Sequence, residues 1–567
     1  MATELRVRKD VEKLSPEELD NLIFAFDHIC NLRPTDPNSF FVIAGYHGEP
    51  FRGPGRTRGS GWWGGYCNHG NILFPTWHRA YLVRLEEALR TADGCEDLTM
   101  PYWNELKMGT GTGDTKAFAG VPPPIFLQKT YTYQTDLRGK KGESVQNPLF
   151  SYKFQQGLVD RTSDDTATSG NYTKPLGYET VRFPFSGLMG VVDEDHTREY
   201  NQTLVDLGQA VTDQALLNNV LTWLNVEHID PTDGSKPVNA GIGQRFLNCL
   251  LAPNYTVFSN TTSADAWNQD HLDIRGFVKP IVPLEDPHNL IHLAVGGFNV
   301  PGPNGGDFNP KNPDHPSDPN QFEDANGDMG ENNTASFDPI FFFHHCFIDL
   351  MFWRWQQKWG ATQQLDIKYA DDVPETDYPG TNSIDSQGPT PGVALGTRLT
   401  LDSPLEPFTK TVTVGDQQQQ VTKTSRDVTD IVQQLGYKYD YKERDAKKGP
   451  LGDGKDEPSP ILRVAGTANR NDIKGSFIVS TWREPSTEGG TPVLIDLKGF
   501  LSRWNVSGCA NCQTHLDIGT HVALRGYTTT QAQDAAASGS FTSYLHTRKN
   551  PKGERFDFEP YVGTNAA

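Results

Sequence analysis

The residues in this chain that most clearly indicate chemistry are histidines. His47 lies in a Gly-Tyr-His-Gly segment, His69 lies in a loop rich in Asn and Gly, and His78 opens an apolar helical pattern. His288 and His292 are four residues apart, so both side chains project from one face of a helix. Clustered neutral imidazoles without thiolates or chelating carboxylates are typical of a transition-metal site.

A further segment, from Phe337 to Asp349, has the same helical spacing. Phe341, His345 and Asp349 recur every four residues, on a face that is apolar apart from the imidazole and the carboxylate. A zinc protease would carry Glu directly after the first His of a His-x-x-x-His pair, and here that position is Asn289. The residue types therefore favour copper, with zinc or iron as weaker alternatives.

The elements that must hold these side chains are mainly helices. A Ser-Pro-Glu-Glu start signal opens the first pattern, and Leu82, Leu85 and Leu89 form an apolar stripe on the second. Helices are predicted over residues 15–32, 78–91, 201–228, 286–293 and within the apolar block 337–359. The Gly- and Pro-rich stretches 109–180 and 296–333 are predicted to be long loops.

The chain changes character after a Tyr-rich run at residues 437–441. Residues 446–460 are charged, rich in Gly and Pro, and typical of a linker between domains. Beyond them, short β-branched and aromatic runs alternate with turn residues. The predicted fold class is a mainly α domain over residues 1–445 and a C-terminal β-sandwich over residues 461–567.

Composition excludes several functions. The 567 residues include 51 Lys and Arg against 71 Asp and Glu, a formal charge of −20 that disfavours nucleic acid and anionic membranes as partners. No apolar run is long enough to span a bilayer. The first twenty residues are charged and show no signal peptide, so we expect an intracellular, cytoplasmic location.

Two segments carry a resemblance to a known family. HGNILFPTWHRAYLVRLEE, from His69 to Glu87, resembles the first copper signature of tyrosinases, catechol oxidases and molluscan-type haemocyanins, and DPIFFFHHCFID, from Asp338 to Asp349, resembles the second. The resemblance covers roughly residues 1–445 and implies a four-helix core that holds two copper ions, with O2 as co-substrate. It assigns His47, His69 and His78 to one copper and His288, His292 and His345 to the other. His344 is then a supporting or structural residue.

The resemblance also implies roles beside the metals. Glu285 and Asn289 resemble a pair that holds a water able to deprotonate a phenol, and the alternative for Glu285 is a charge favoured by the helix dipole. Cys67 stands two residues before His69, a spacing at which fungal members carry a Cys–His thioether, the alternative being a buried thiol. Phe341 is predicted to stack near both metals. Asp349 is predicted to accept a hydrogen bond from a ligand imidazole or a nearby backbone group.

The Tyr-rich run and the C-terminal domain resemble those of fungal protyrosinases. Cys509 and Cys512 form a CxxC that resembles a copper-loading site, although redox and zinc functions stay open. Phe500 is the predicted plug of the active site, with Trp504 as a rival and a core position as the alternative. The partners implied are a copper donor and a protease that cuts the linker.

Together, these features and the resemblance imply a latent enzyme of the tyrosinase family. It would hydroxylate monophenols in the ortho position and oxidise o-diphenols to o-quinones, feeding melanin-type pigment. A catechol or o-aminophenol oxidase is the alternative, and a haemocyanin-like O2 carrier is disfavoured because carriers are large multi-unit assemblies. A gate to the pocket for small phenolic substrates is expected within Met329–Ala335, with Asn332 and Asn333 as candidates. Assembly into a homo-oligomer stays open.

Overall fold

A computed structural model of the chain describes most of both predicted domains. The described residues are 5–50, 65–109, 117–159, 173–229, 237–273, 280–301, 322, 324–368, 378–383, 393, 396–441, 460–469, 473, 475–485, 490, 492–502, 517–524, 527–548, 550, 553–558 and 560–563. Trp504, Cys509, Cys512 and the predicted linker up to residue 459 lie outside these ranges. The predictions made for them stay predictions.

Helices form the N-terminal three quarters of the described chain. They are α1 (Pro16–Asn31), α2 (Phe40–Ala44), α3 (Phe74–Leu89), α4 (Glu194–Leu207), α5 (Gln209–Leu224), α6 (Ile242–Cys249), α7 (Tyr255–Ser259), α8 (Thr261–Asp270), α9 (Glu285–Gly296) and α10 (Ile340–Trp359), with α11 (Thr529–Ala537) in the C-terminal part. Ser15 and Glu18 form a reciprocal capping box at the start of α1, as the sequence signal indicates. The helical pattern predicted from 201 to 228 corresponds to two helices, α4 and α5, because Gly208 adopts a φ of 92° that ends α4.

Strands occur as small pairs in the helical part and as two sheets in the C-terminal part. The strands are β1 (Arg6–Arg8), β2 (Thr130–Thr132), β3 (Ser144–Gln146), β4 (Glu227–Ile229), β5 (Pro237–Asn239), β6 (Pro404–Val414), β7 (Gln417–Thr424), β8 (Tyr437–Tyr439), β9 (Ile461–Asn469), β10 (Phe477–Arg483), β11 (Val493–Phe500), β12 (Asp517–Ala523), β13 (Phe541–Thr547), β14 (Glu554–Phe556) and β15 (Tyr561–Val562). The C-terminal sheets have the orders β11-β10-β13-β14 and β12-β9-β15. Their facing residues share one hydrophobic core, so the predicted sandwich is confirmed.

The main core positions the histidine-bearing helices. Helix α3 packs against α10 and α1, while α9 packs against α5 and α6 and, on another side, against β11 of the C-terminal domain. β1 pairs in parallel with β8, so the Tyr-rich run closes the helical domain against its first strand. Among the described residues, none of the helices combines the length and hydropathy needed to cross a bilayer.

Candidate metal centre

Three imidazoles, two from α9 and one from α10, converge on one point. The Nε2 atoms of His288 and His292 lie 3.1 Å apart, and each lies within 3.4 Å of Nε2 of His345. The centre of such a triangle is about 1.9 Å from each nitrogen, close to the roughly 2.0–2.1 Å of an imidazole–zinc bond. The three nitrogens are therefore spaced to bind one metal ion of this size.

The other ring nitrogens orient these imidazoles. Nδ1 of His292 donates to the carbonyl of Met329 at 3.0 Å, and Nδ1 of His288 donates to Oδ1 of Asn289 at 2.9 Å. Because both acceptors are oxygens, the proton is on Nδ1 and the lone pair of Nε2 is free. Helix α9 achieves this with a four-residue spacing that places both rings on one face.

The second group consists of His47, His69 and His78. Their ligand atoms lie within 4.8 Å of one another, and all three side chains are buried. His78 lies in the first turns of α3, where its Nδ1 donates to the carbonyl of Phe74 at 2.8 Å. Its Nε2 is buried and has no hydrogen-bond partner in the part of the chain that the structure describes. This nitrogen is therefore available to a metal.

The two histidine groups face each other across a narrow gap. The rings of His78 and His345 stack with centroids 4.5 Å apart, and those of His69 and His288 stack at 5.7 Å. Phe341 contacts both groups, with its ring centroid 4.0 Å from that of His345 and 4.9 Å from that of His47. Two metal ions bound here would be close neighbours, with Phe341 restricting the rings of both groups.

Burial keeps His78, His288, His292 and His345 neutral. It lowers the pKa of His78 to about 3 and that of His292 to about 4, the latter despite the hydrogen bond to Met329. The pKa values of His288 and His345 also lie well below the ordinary value, first because of burial and then because of neighbouring histidines. Neutral, buried imidazoles with free lone pairs suit copper.

A seventh histidine, His344, belongs to the second group by distance. One of its ring nitrogens lies within 4.8 Å of a ring nitrogen of each of His288, His292 and His345. Its Nδ1 lies 2.6 Å from Oε1 of Glu105, and both side chains are fully buried. Glu105 therefore holds the ring of His344, as expected of a supporting residue. Nothing local in the sequence indicates this pairing of residues 239 positions apart.

Comparison with known proteins agrees with this geometry. Residues 37–358 match the model of the common central domain of tyrosinase. The chain is 43% identical to the tyrosinase of Aspergillus oryzae over 97% of this chain and 94% of that protein. The chain belongs to the tyrosinase family. A solved tyrosinase from Burkholderia thailandensis has 37% identity and a TM-score of 0.72, covering 95% of this chain and 94% of that one.

The resemblance of the two copper signatures is thus confirmed at the level of the family. The structure of mushroom tyrosinase, 20% identical with a TM-score of 0.58 over 99% of this chain and 92% of that one, shows the same fold. The protein is a copper oxidoreductase of the tyrosinase family, which uses two copper ions and O2. Its two histidine groups fit that pair of ions.

Glu285 lies beside the copper site of this tyrosinase-family chain and links two segments. Its Oε1 accepts from the backbone N–H of Gly70 at 2.8 Å, and its Oε2 accepts from the backbone and hydroxyl of Thr261 at 2.9 and 3.1 Å. Burial raises its pKa, although the bonds from Thr261 and Gly70 lower it in part. Glu285 and Asn289 line a cavity of about 520 Å³ between the two domains.

Phe500 lines the same cavity from the C-terminal side. Its ring stacks on that of Phe477, with centroids 4.5 Å apart and an interplanar angle of 13°. The next residue, Leu501, also lines the cavity and is part of the main core. The C-terminal domain thus forms part of the wall of the cavity that Glu285 also lines.

Cys67 is buried in the loop that leads to His69. Asn332 contacts it, with Nδ2 3.9 Å from Sγ. Asn333 is also buried, and its Nδ2 donates to Oε1 of Glu49 at 3.5 Å. The two candidate gate residues are therefore packed inside the protein in this conformation.

The prediction for Asp349 was wrong. Within the described residues, neither of its oxygens accepts from an imidazole or a backbone group: Oδ2 accepts from Arg8 at 3.0 Å and from the hydroxyls of Tyr437 and Tyr439 at 2.6 Å each, and Oδ1 accepts from Arg79. Burial raises the pKa of Asp349, but the positive charges of Arg79 and Arg8 lower it by more. The pKa therefore lies below its ordinary value. Asp349 therefore ties α10 to β1, α3 and the Tyr-rich run.

Proposed function

We propose that this protein is a latent tyrosinase. It hydroxylates monophenols in the ortho position, oxidises o-diphenols to o-quinones and thereby supplies precursors of melanin-type pigment. The observation that carries the proposal is the convergence of six buried imidazoles in two facing groups. His47, His69 and His78 would hold one copper, and His288, His292 and His345 the other.

The copper pair, when bound, supplies the binding of O2 and the transfer of electrons between O2 and the phenol. The chain supplies position and proton transfer. Nδ1 contacts from Phe74, Asn289 and Met329 hold three of the rings so that Nε2 points inward. Phe341 keeps the rings of both groups from turning.

The proton of the phenol needs an acceptor at the mouth of the site. Glu285 is the carboxylate beside His288, and among the described residues its Oε1 accepts one hydrogen bond, from the backbone N–H of Gly70, so a second lone pair can accept from a water. A water held by Glu285 and Asn289 in the cavity would take the proton as the phenol binds. This supports monophenol hydroxylation in addition to diphenol oxidation.

Latency is supported by the position of the C-terminal domain. Phe500 and Leu501 line the same cavity as Glu285 and Asn289, so the domain stands where a phenol would enter. Several lysines of the linker, between residues 446 and 460, offer sites for a trypsin-like protease. Cutting there would let the domain leave.

Oxygen uptake tests the proposal directly. Copper-loaded protein is given a monophenol or an o-diphenol, before and after limited trypsin treatment, with His288→Ala as the metal-site control. By stoichiometry, one O2 converts one monophenol to quinone and water, whereas one O2 converts two diphenols to two quinones and two waters. We expect uptake on both substrates in these ratios, a marked rise after cleavage, and almost none in the variant.

The other outcomes identify the alternatives. Uptake on the diphenol alone would favour a catechol oxidase and contradict the role of Glu285. Reversible binding of O2 by the copper-loaded protein without turnover would favour an oxygen carrier. Equal rates before and after complete linker cleavage would contradict latency.

A further inference from the structure

Arg548 extends from the C-terminal domain into the helical domain beside the second histidine group. Its Nε donates to Oε1 of Glu331 at 3.0 Å, and its Nη1 donates to the carbonyls of Ala325 at 2.9 Å and Gly297 at 3.2 Å. The guanidinium also lies 4.0 Å from the ring centroid of Phe298. The side chain is only 6% exposed, so these contacts are shielded from water.

The contacts join two backbone segments that pack without a gap. One is the end of α9, and the other is the turn at residues 328–330. A Cβ on Gly296 would lie 1.8 Å from the backbone N of Gly330, so glycine is required at this contact. Nη2 of Arg548 lies 3.5 Å from the carbonyl of Gly296 and 3.4 Å from that of Gly330. One nitrogen therefore holds both segments together, and its positive charge suits the C-terminus of α9.

The turn held in this way carries the acceptor for a ligand histidine. Met329, directly before Gly330, accepts the hydrogen bond from Nδ1 of His292 at 3.0 Å. A displaced Met329 carbonyl would leave His292 free to rotate or to change tautomer. Partners of this kind typically affect metal affinity by about 10- to 100-fold.

Glu331 strengthens the link between the domains. While Oε1 accepts from Arg548, Oε2 accepts from the backbone N–H of Ser476 at 3.2 Å, and the side chain is 1% exposed. Arg548 and Ser476 both belong to the C-terminal domain. Both oxygens of this buried carboxylate thus accept from that domain, and the loss of Arg548 would remove the ion pair that Glu331 makes with it.

We propose that Arg548 is a positioning residue for the second copper site, and that the C-terminal domain holds His292 in its ligating orientation through the Gly330 backbone and the Met329 carbonyl. The inference rests on the proposed role of His292 as a metal ligand. It gives the domain a second effect beside covering the cavity, because removal of the domain removes Arg548. Activation by cleavage would then weaken the hold on one copper and leave the other unchanged.

The test measures copper release from the full-length chain. Arg548→Gln is placed in two backgrounds: His47→Ala, which retains the second histidine group, and His288→Ala, which retains the first. Each protein is loaded with copper, mixed with a chelator, and followed by the absorbance of the chelate. We expect release about tenfold faster in the His47→Ala background and unchanged in the His288→Ala background.

Three further variants make the result specific. Arg548→Lys keeps the charge but not the forked donors, so release should lie between the parent and the Gln variant. Asp496→Asn removes the interface ion pair with Arg245 without contacting the 328–330 turn, and Arg555→Gln changes an exposed arginine on β14. Both should release copper at the parental rate. The melting temperatures of the metal-free proteins show whether each variant is folded, and the Lys variant replaces the Gln variant if the latter is not.

Unchanged release from folded Arg548 variants in the His47→Ala background would overturn the inference. So would equal acceleration by Asp496→Asn, which would indicate general loosening of the domains. Failure of the proposed function gives a different result: His47→Ala and His288→Ala would then bind as much copper as the unsubstituted chain.

Discussion

Glu285, on the helix that carries His288, accepts a hydrogen bond from the backbone N–H of Gly70, the residue that follows His69. One carboxylate therefore connects the two histidine groups. Its other oxygen accepts from Thr261 at the start of α8, and neither bond goes to the first turn of α9 itself. The side chain is thus more than a charge that favours the helix dipole.

Glu285→Gln is expected to lower monophenol turnover by about 10²-fold, the range typical of a lost general base, and diphenol turnover much less. Thr261→Val is the matched control, because it removes the hydroxyl bond to Oε2 and retains the carboxylate. That variant should lower both activities slightly and equally. Equal, large losses on both substrates in Glu285→Gln would show that the residue only holds the His69 loop.

The same carboxylate predicts a pH dependence. Burial raises the pKa of Glu285 above its usual value of about 4.3. A base must be unprotonated, so monophenol turnover should fall as the pH is lowered through the pKa of Glu285. The midpoint of this fall should lie above the usual carboxyl pKa. The ratio of monophenol to diphenol rates, measured across pH, should decrease at acid pH in the parent and not in Glu285→Gln.

Cys67 is expected to form a thioether with His69 when the copper-loaded protein meets O2. The bond joins Sγ to a ring carbon, and the thiol and ring hydrogens are lost as O2 accepts two electrons. Intact mass after copper loading should therefore fall by two hydrogens in the parent and not in Cys67→Ser. Cys249, which is also buried but distant in sequence from any histidine of the site, offers the control Cys249→Ser, which should show the same deficit as the parent.

Phe500→Ala is expected to raise diphenol oxidation by the uncut chain several-fold, because it widens the cavity that Glu285 also lines. Leu501→Ala is the matched control: Leu501 also lines the cavity, but its side chain packs in the main core. Oxygen uptake without protease compares the two. A higher rate in Leu501→Ala than in Phe500→Ala would move the plug to Leu501.

Local periodicity explains which parts of the site could be predicted. The helical repeat alone places His288 with His292, and Phe341 with His345, because residues four apart share a face. The break at Gly208 depends on a positive φ that composition does not show. Glu105 beside His344 and Arg548 beside Glu331 are pairs 239 and 217 residues apart, which only the folded chain brings together.

Asp349 is a single residue whose partners helical periodicity could not predict. Its helical spacing from His345 indicated a partner in the metal site, yet the helix turns its carboxylate toward Arg8, 341 residues away. Two buried guanidinium groups and two tyrosine hydroxyls donate hydrogen bonds to the carboxylate there. A carboxylate between two arginines is the stronger electrostatic arrangement.

Asp349→Asn is therefore expected to destabilise the protein without removing a metal contact. The variant leaves the charges of Arg8 and Arg79 buried with less compensation, at a cost of about 3–5 kcal/mol in the free energy of unfolding. Urea unfolding of the metal-free protein measures it. Asp402→Asn breaks an exposed pair with Arg426 and should unfold at the parental urea concentration.

The pH dependence of this difference follows from the lowered pKa of Asp349. A carboxyl whose pKa is lower in the folded than in the unfolded state stabilises the fold above its unfolded pKa, about 3.9, and the stabilisation is lost as the pH falls through the folded value. The gap between parent and Asp349→Asn should thus be constant near neutrality and shrink below about pH 4. A gap that stays constant down to the pH of acid unfolding would show that Arg8 and Arg79 do not depend on the charge of Asp349.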